Sequence, residues 1–140
     1  MSFDIIGPRY SFNCNNRTWY AILDIALEFG WKPAGTICRL TDCGKDECQP
    51  GYHMNSGQMI TQEDARHLAE ALEKALPTIP EEDTMGTYLI EFPLPNGGTV
   101  RCVDPERMQE LTPRHWLSGS GRELVQEAIT VFRDGQVLLY

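Results

Sequence analysis

The sequence predicts an α+β fold in a single domain, residues 1–140, with three or four helices packed on a small, mainly antiparallel sheet. Three observations carry that expectation. Apolar residues recur at the 3.6-residue helical period in well-separated stretches. Short runs rich in β-branched and aromatic residues lie beside them, two of them joined by a loop with hairpin chemistry. A chain of 140 residues with 41% hydrophobic and 23% charged residues has the length and composition of one ordinary globular domain.

The elements follow in chain order. Phe3–Ile6 reads as a strand. A first helix runs from about Thr18 to Phe29, with Asn15 or Asn16 as N-cap and Gly30 as its stop. Trp19, Ile22, Leu23, Ala26 and Leu27 form its apolar stripe. Gly35–Leu40 and Gln58–Ile60 are strand candidates. The second helix starts at Thr61, whose hydroxyl caps it, while Asp64 sits favourably at the positive end of its dipole. Ala65, Leu68, Ala69, Leu72 and Leu76 form its buried stripe, and Pro77 ends it.

Residues 77–86 read as an acidic, proline-containing linker. Tyr88–Phe92 and Thr99–Val103 are strand candidates, although Glu91-Phe92 fits a helix equally well, and Pro93–Gly98 has the residues of a hairpin loop. Asp104-Pro105 reads as the start of a short third helix reaching Leu111. A fourth helix follows Ser120, with Glu123 completing a capping box, and Val137–Tyr140 closes as a strand. No repeat or low-complexity tract interrupts this order.

Charge narrows the function. Twelve basic residues stand against twenty acidic ones, and residues 61–84 hold seven of the acids with only two bases. No lysine or arginine cluster offers a positive face, so nucleic acid and anionic membranes are disfavoured. No apolar run reaches the roughly 18–20 residues that span a bilayer. The first eight residues lack the basic start and long apolar stretch of a signal peptide, which predicts a cytoplasmic address. Glu70, Glu73, Glu81, Glu82 and Asp83 would suit a basic protein partner, with Trp116 as an aromatic anchor. A solvated helix face and a charged loop explain the same acids without any partner.

Cysteine spacing offers a second reading. Cys38, Cys43, Cys48 and His53 follow one another at intervals of five within a Cys-rich loop, 38–53. Three thiolates and an imidazole make a closed tetrahedral zinc site, and Gly44 and Gly51 would let the loop wrap the ion. Four-residue gaps lie at the edge of the zinc-knuckle range, so buried free cysteines and a redox pair stay open beside it. The cofactor is therefore either none or zinc. Ser118, Ser120 and Arg122 precede the last helix and could present donors to an anion, although the loop is neither a Walker A nor a G-x-S-x-G motif. Glu63 stands four residues before His67 on a helix face, and His115-Trp116 fits a capped turn. No catalytic motif links any histidine to a nucleophile.

Gly30–Thr36, then Tyr52 with Asn55–Gln58 leading into Thr61–Ala65, and finally Trp116–Gly119 read as short turn and helix-start motifs. In these the chain resembles a group of small uncharacterised bacterial cytoplasmic proteins of immunity-like character. The resemblance implies a fold rather than a reaction, and the cysteine series is no part of the group's pattern. Three functional readings follow. The first is a non-enzymatic protein-binding protein of immunity or antitoxin type. The others are a zinc-stabilised structural module and a small enzyme.

Overall fold

The computed structural model describes residues 2–37 and 51–140. In chain order they form β1 (Ser2–Ile6), β2 (Ser11–Asn15), α1 (Asn16–Glu28), β3 (Met59–Ile60) and α2 (Gln62–Ala75). There follow β4 (Leu89–Pro93), β5 (Thr99–Val103), α3 (Pro113–Trp116), α4 (Ser120–Asp134) and β6 (Val137–Leu139). The main sheet has the order β2-β1-β6-β3 with antiparallel neighbours, and β4 and β5 make a separate hairpin. The fold is α+β, as the sequence predicts.

Alternation explains the main sheet. Phe3 and Ile5 of β1, Phe12 and Cys14 of β2, Ile60, Val137 and Leu139 all point into the core, while the intervening positions of β1 and β2 face solvent. Trp19, Phe3 and Phe132 are its largest buried side chains, and Trp19 lies 5.8 Å from Phe3 and 6.2 Å from Phe132 between ring centroids. Burial pushes the Cys14 thiol up to about 12, so it packs as a small hydrophobe.

The helix caps follow the local chemistry. Asn15 accepts from the Thr18 amide and starts α1. Gly30, at φ +98°, ends it in a Schellman turn, with Trp31 N–H donating to the Ala26 carbonyl and Gly30 N–H to Leu27. Leu27 is exposed rather than part of the stripe; Ala21 and Ile25 are buried in its place. Thr61 caps α2 through the Asp64 amide. For α4, Gly119 rather than Ser120 holds the cap position, at φ +65°, and no side chain caps it. A Cβ on Gly119 would lie 3.1 Å from that of Asp83, so both the backbone angle and the space call for glycine.

Three segments depart from the sequence reading. Ser11–Asn15, to which the sequence assigned no element, is a strand: pairing with β1 and burial of Phe12 and Cys14 override three weak strand formers. The expected helix over 105–111 is a turn and one short 3₁₀ segment, Met108–Glu110. Asp104 captures the Glu106 and Arg107 amides, and Pro113 offers no N–H to extend a helix, so the chain restarts as α3. Of the Gly35–Leu40 strand, Ile37 makes one antiparallel bridge to Met59, and residues 38–40 lie outside the described residues. The 77–86 segment is strapped down, because Arg122 Nε donates to the Ile79 carbonyl and Thr84 N–H to Ser118 Oγ.

Arg9, in the β1–β2 turn, grips Asp134 at the end of α4 with its backbone amide at 2.8 Å and its guanidinium at 2.8 and 2.5 Å. Those hydrogen bonds hold the Asp134 carboxyl below the usual carboxylate range. A folded-state value below the unfolded one gives stability that is complete above the ordinary carboxylate pKa and is lost as pH falls through the folded one. Wild type should therefore melt above Arg9→Met at neutral pH, and the gap should close towards about pH 2. A melting-temperature difference that persists unchanged in acid would contradict the assignment.

Candidate functional site

Two features draw together polar and aromatic side chains. The first is a buried latch. Asp64, 1% exposed, accepts from Trp31 Nε1 at 2.9 Å and from Tyr52 Oη at 2.5 Å, with the Ala34 amide at 3.4 Å. Tyr52 Oη accepts in turn from Gly35 N–H, and the Tyr52 carbonyl accepts from Trp19 Nε1 at 2.7 Å. Burial, aided by the bond to Asp64, pushes the Tyr52 hydroxyl well above its ordinary range and keeps it a donor. Gln58 ties the neighbouring turn by donating to the Gly51 and Met54 carbonyls and accepting from Ser56 N–H. Every strong donor here has a protein acceptor, so the latch positions backbone. Beside it runs a shallow cleft of about 470 Å³ between Trp31, Lys32 and the α2 face carrying Glu63, His67, Glu70 and Lys74.

The second feature is a groove between α1 and the 108–116 segment. Arg17, Tyr20 and Asp24 fall on one face of α1 because they are spaced by three and four. Met108, Leu111, Pro113 and Trp116 line the opposite wall, around a volume of about 510 Å³. The Arg17 guanidinium lies over the Trp116 ring, 4.4 Å from its centroid. Arg17, Met108 and Trp116 also line an adjoining depression of about 430 Å³, which reaches Met85 and the hairpin residues Leu89, Arg101 and Val103. The two depressions therefore form one trough from α1 to the hairpin.

Local hydrogen bonds brace its wall. Thr112 N–H donates to His115 Nδ1 at 3.0 Å, which caps α3 and leaves Nε2 to carry the proton towards Tyr88 Oη at 3.3 Å. Arg107 lies over the Tyr88 ring, 4.3 Å from its centroid, and bonds Glu110 and the Thr87 carbonyl. His115 thus fixes the trough.

The chain matches no protein-family model, no curated protein and no solved structure. Function has to be read from the residues themselves.

The structure scatters the acids singled out from sequence. Glu70 pairs with Arg66 at 3.6 Å, and Glu73 pairs with Arg133, so both α2 acids have basic partners. Glu81, Glu82 and Asp83 are exposed and form no ion pair among the described residues. Asp83 accepts from the Met85 amide at the far end of the trough. Trp116 is half-buried in the trough floor, where the sequence reading wanted an anchor.

Ser118 and Arg122 have protein partners: Ser118 Oγ donates to the His115 carbonyl and accepts from Thr84, and Arg122 Nε bonds Ile79. Ser120 is the exposed first residue of α4. Cys38, Cys43 and Cys48 lie outside the described residues. The His53 ring packs on Tyr20 at 4.9 Å, and its carbonyl accepts from Tyr20 Oη. No group of three or more His, Cys, Asp or Glu is placed to hold a metal among the described residues. No described helix is long and apolar enough to cross a membrane.

Sequence reasoning missed Arg17, Tyr20 and Met108 as trough residues because the first two lie far from Met108 in the chain and the three obey no motif. A signal did exist for Asp64. It falls in phase with Leu68 and Leu72, which places it on the buried stripe rather than on the solvated first turn.

Proposed function

We propose that this protein is a non-enzymatic protein-binding protein of immunity or antitoxin type, and that it receives a protruding segment of its partner in the trough centred on Trp116. The observation that carries the proposal is the composition of the trough floor. Trp116, Tyr20, Arg17 and Met108 belong to the residue types that concentrate at the centres of protein interfaces. Met108 is 48% exposed without a cover, and the stacked Arg17–Trp116 pair offers one wide flat surface. A trough built from two open depressions suits an extended segment better than an enclosed small molecule.

The chain's net charge of −8 and the exposed acids at 81–83 favour a partner with basic surroundings. Charge then governs the rate of encounter and its salt dependence, while the aromatic floor governs how long the complex lasts.

The test is affinity capture from lysate of the source cells with wild type, Met108→Asp and Arg17→Ala, followed by titration of the captured protein. Wild type is expected to retain a partner more weakly as salt rises, and Met108→Asp to lose at least about 30-fold in affinity. Capture of nothing, or equal retention by all three forms, would overturn the proposal.

A further inference from the structure

The arginines of this chain divide into two groups. Among the described residues, Arg9, Arg66, Arg107, Arg114 and Arg133 each pair with a carboxylate, and Arg122 bonds the Ile79 carbonyl. The guanidiniums of Arg17 and Arg101 hold neither an ion pair nor a hydrogen bond among those residues. Both line the same depression, the hairpin end of the trough, and no described acid lines it with them. Glu91 is paired with Arg101 in the strand register but makes no ion pair with it. Asp24 lies two helical turns along α1 from Arg17 and lines the other depression. In a chain with twenty acids and twelve bases, two unmatched guanidiniums at one place give it a sign opposite to that of the whole surface.

The setting suits one kind of anion. The Arg17 guanidinium lies over the Trp116 ring, a contact that uses its flat face and leaves its N–H edge for a ligand. That edge matches a carboxylate in two parallel hydrogen bonds. A cation already held by stacking also gives up less freedom on binding than a loose one. Met85, Leu89, Val103 and Met108 supply apolar wall around the two charges. A segment lying over them would shut out water and strengthen the attraction.

We propose that the segment received by the trough carries an acidic residue between apolar neighbours, with its carboxylate held by Arg17 and Arg101. This rests on the reading of the trough as a segment-binding site and adds the chemistry of what is seated. Charge decides the occupant, because a lysine or arginine at this place would meet two like charges. The basic surroundings that the acids at 81–83 favour lie outside the seated segment. Centre and rim of the contact then ask for opposite charges, which fixes the register and rejects a uniformly basic segment.

The test is a nuclear magnetic resonance titration of nitrogen-15-labelled protein with acetyl-Leu-Glu-Leu-amide and its Gln and Lys counterparts. The Glu peptide is expected to shift the Arg17 and Arg101 Nε–H and Trp116 Nε1–H signals saturably. It should bind at least about 10-fold more tightly than the Gln peptide, and the Lys peptide should bind weakest. Arg101→Gln should lose most of that preference, and Arg17→Gln replaces it if the hairpin signals show that the fold has changed. Equal affinity for the Glu and Gln peptides overturns the inference, as does a preference that survives the loss of either arginine. No shift from any of the three peptides overturns it as well. So does inorganic phosphate that moves the same signals as tightly as the Glu peptide, since that marks a plain anion site. The capture test decides the wider reading separately: a partner retained there, with no preference for Glu in the titration, sinks this inference alone.

Discussion

Asp64→Ala is expected to destabilise the fold by about 3 kcal/mol or more, one of the two largest single-site effects in the molecule. Asp64 is 1% exposed, and removing its carboxylate strands two buried donors at once, Trp31 Nε1–H and Tyr52 O–H. Each unsatisfied buried donor costs about 1–3 kcal/mol, and water reaches neither site easily because Trp31 and Tyr52 are themselves 4% and 8% exposed. Asp64→Asn should fall between, at about 1–2 kcal/mol: its amide oxygen can still accept from Trp31, but its nitrogen faces the Tyr52 hydroxyl as a second donor.

Tyr52→Phe removes the same bond from the other side and also strands Gly35 N–H. The Asn and Phe substitutions should therefore be strongly non-additive in a double-mutant cycle. Guanidinium unfolding of the four forms of that cycle, and of Asp64→Ala, reads this out. Losses below about 0.5 kcal/mol for Asp64→Ala would mean that the latch closes on something other than these bonds.

That latch also shows where the sequence was legible and where it was not. Thr61 as a cap, Asn15 as a cap and Gly30 as a stop are local signals, because each depends on groups within four residues, and the structure follows them. The hairpin was readable chiefly from its Pro/Gly loop, which is local, whereas Glu91-Phe92 fitted a helix as well as a strand. Asp64 bonds residues 12, 30 and 33 positions away, so its partners could not be inferred from neighbours, only its burial from phase. The 105–111 helix failed on competition. Its Asp-Pro start is genuine capping chemistry, but an Asx turn uses the same carboxylate, and Pro113 denies the helix its continuation.

The trough was the least legible feature. Arg17 lies 99 positions from the Trp116 ring it covers, and nothing in either local sequence distinguishes an interface aromatic from a core one. The resemblance motifs are better explained. Trp31, Tyr52, Gln58 and Asp64 all occur within them, and all four are fastened into the latch and its neighbouring turn. Such motifs maintain a scaffold, which is why they announce a fold without announcing a reaction.

Trp19→Ala should be comparably severe, at about 3–5 kcal/mol, and it separates packing from hydrogen bonding at the point where the layers meet. Trp19 is fully buried; its ring contacts Phe3 of β1 and Phe132 of α4, and its Nε1 donates to the Tyr52 carbonyl. The side chain therefore joins sheet, C-terminal helix and latch loop through one indole. Trp19→Phe keeps much of the apolar volume but leaves the Tyr52 carbonyl without its donor, and should cost about 1–2 kcal/mol plus a smaller term for the void.

The two substitutions should also differ in where they act. If Nε1 fastens the loop, Trp19→Phe should raise amide hydrogen exchange around residues 51–58 while the β1, β6 and α4 amides stay protected. Trp19→Ala should raise exchange throughout the sheet and α4 as global stability falls. Should Trp19→Phe loosen the whole core uniformly, the indole is acting by volume alone. The latch would then stand on Asp64 without help from the first helix.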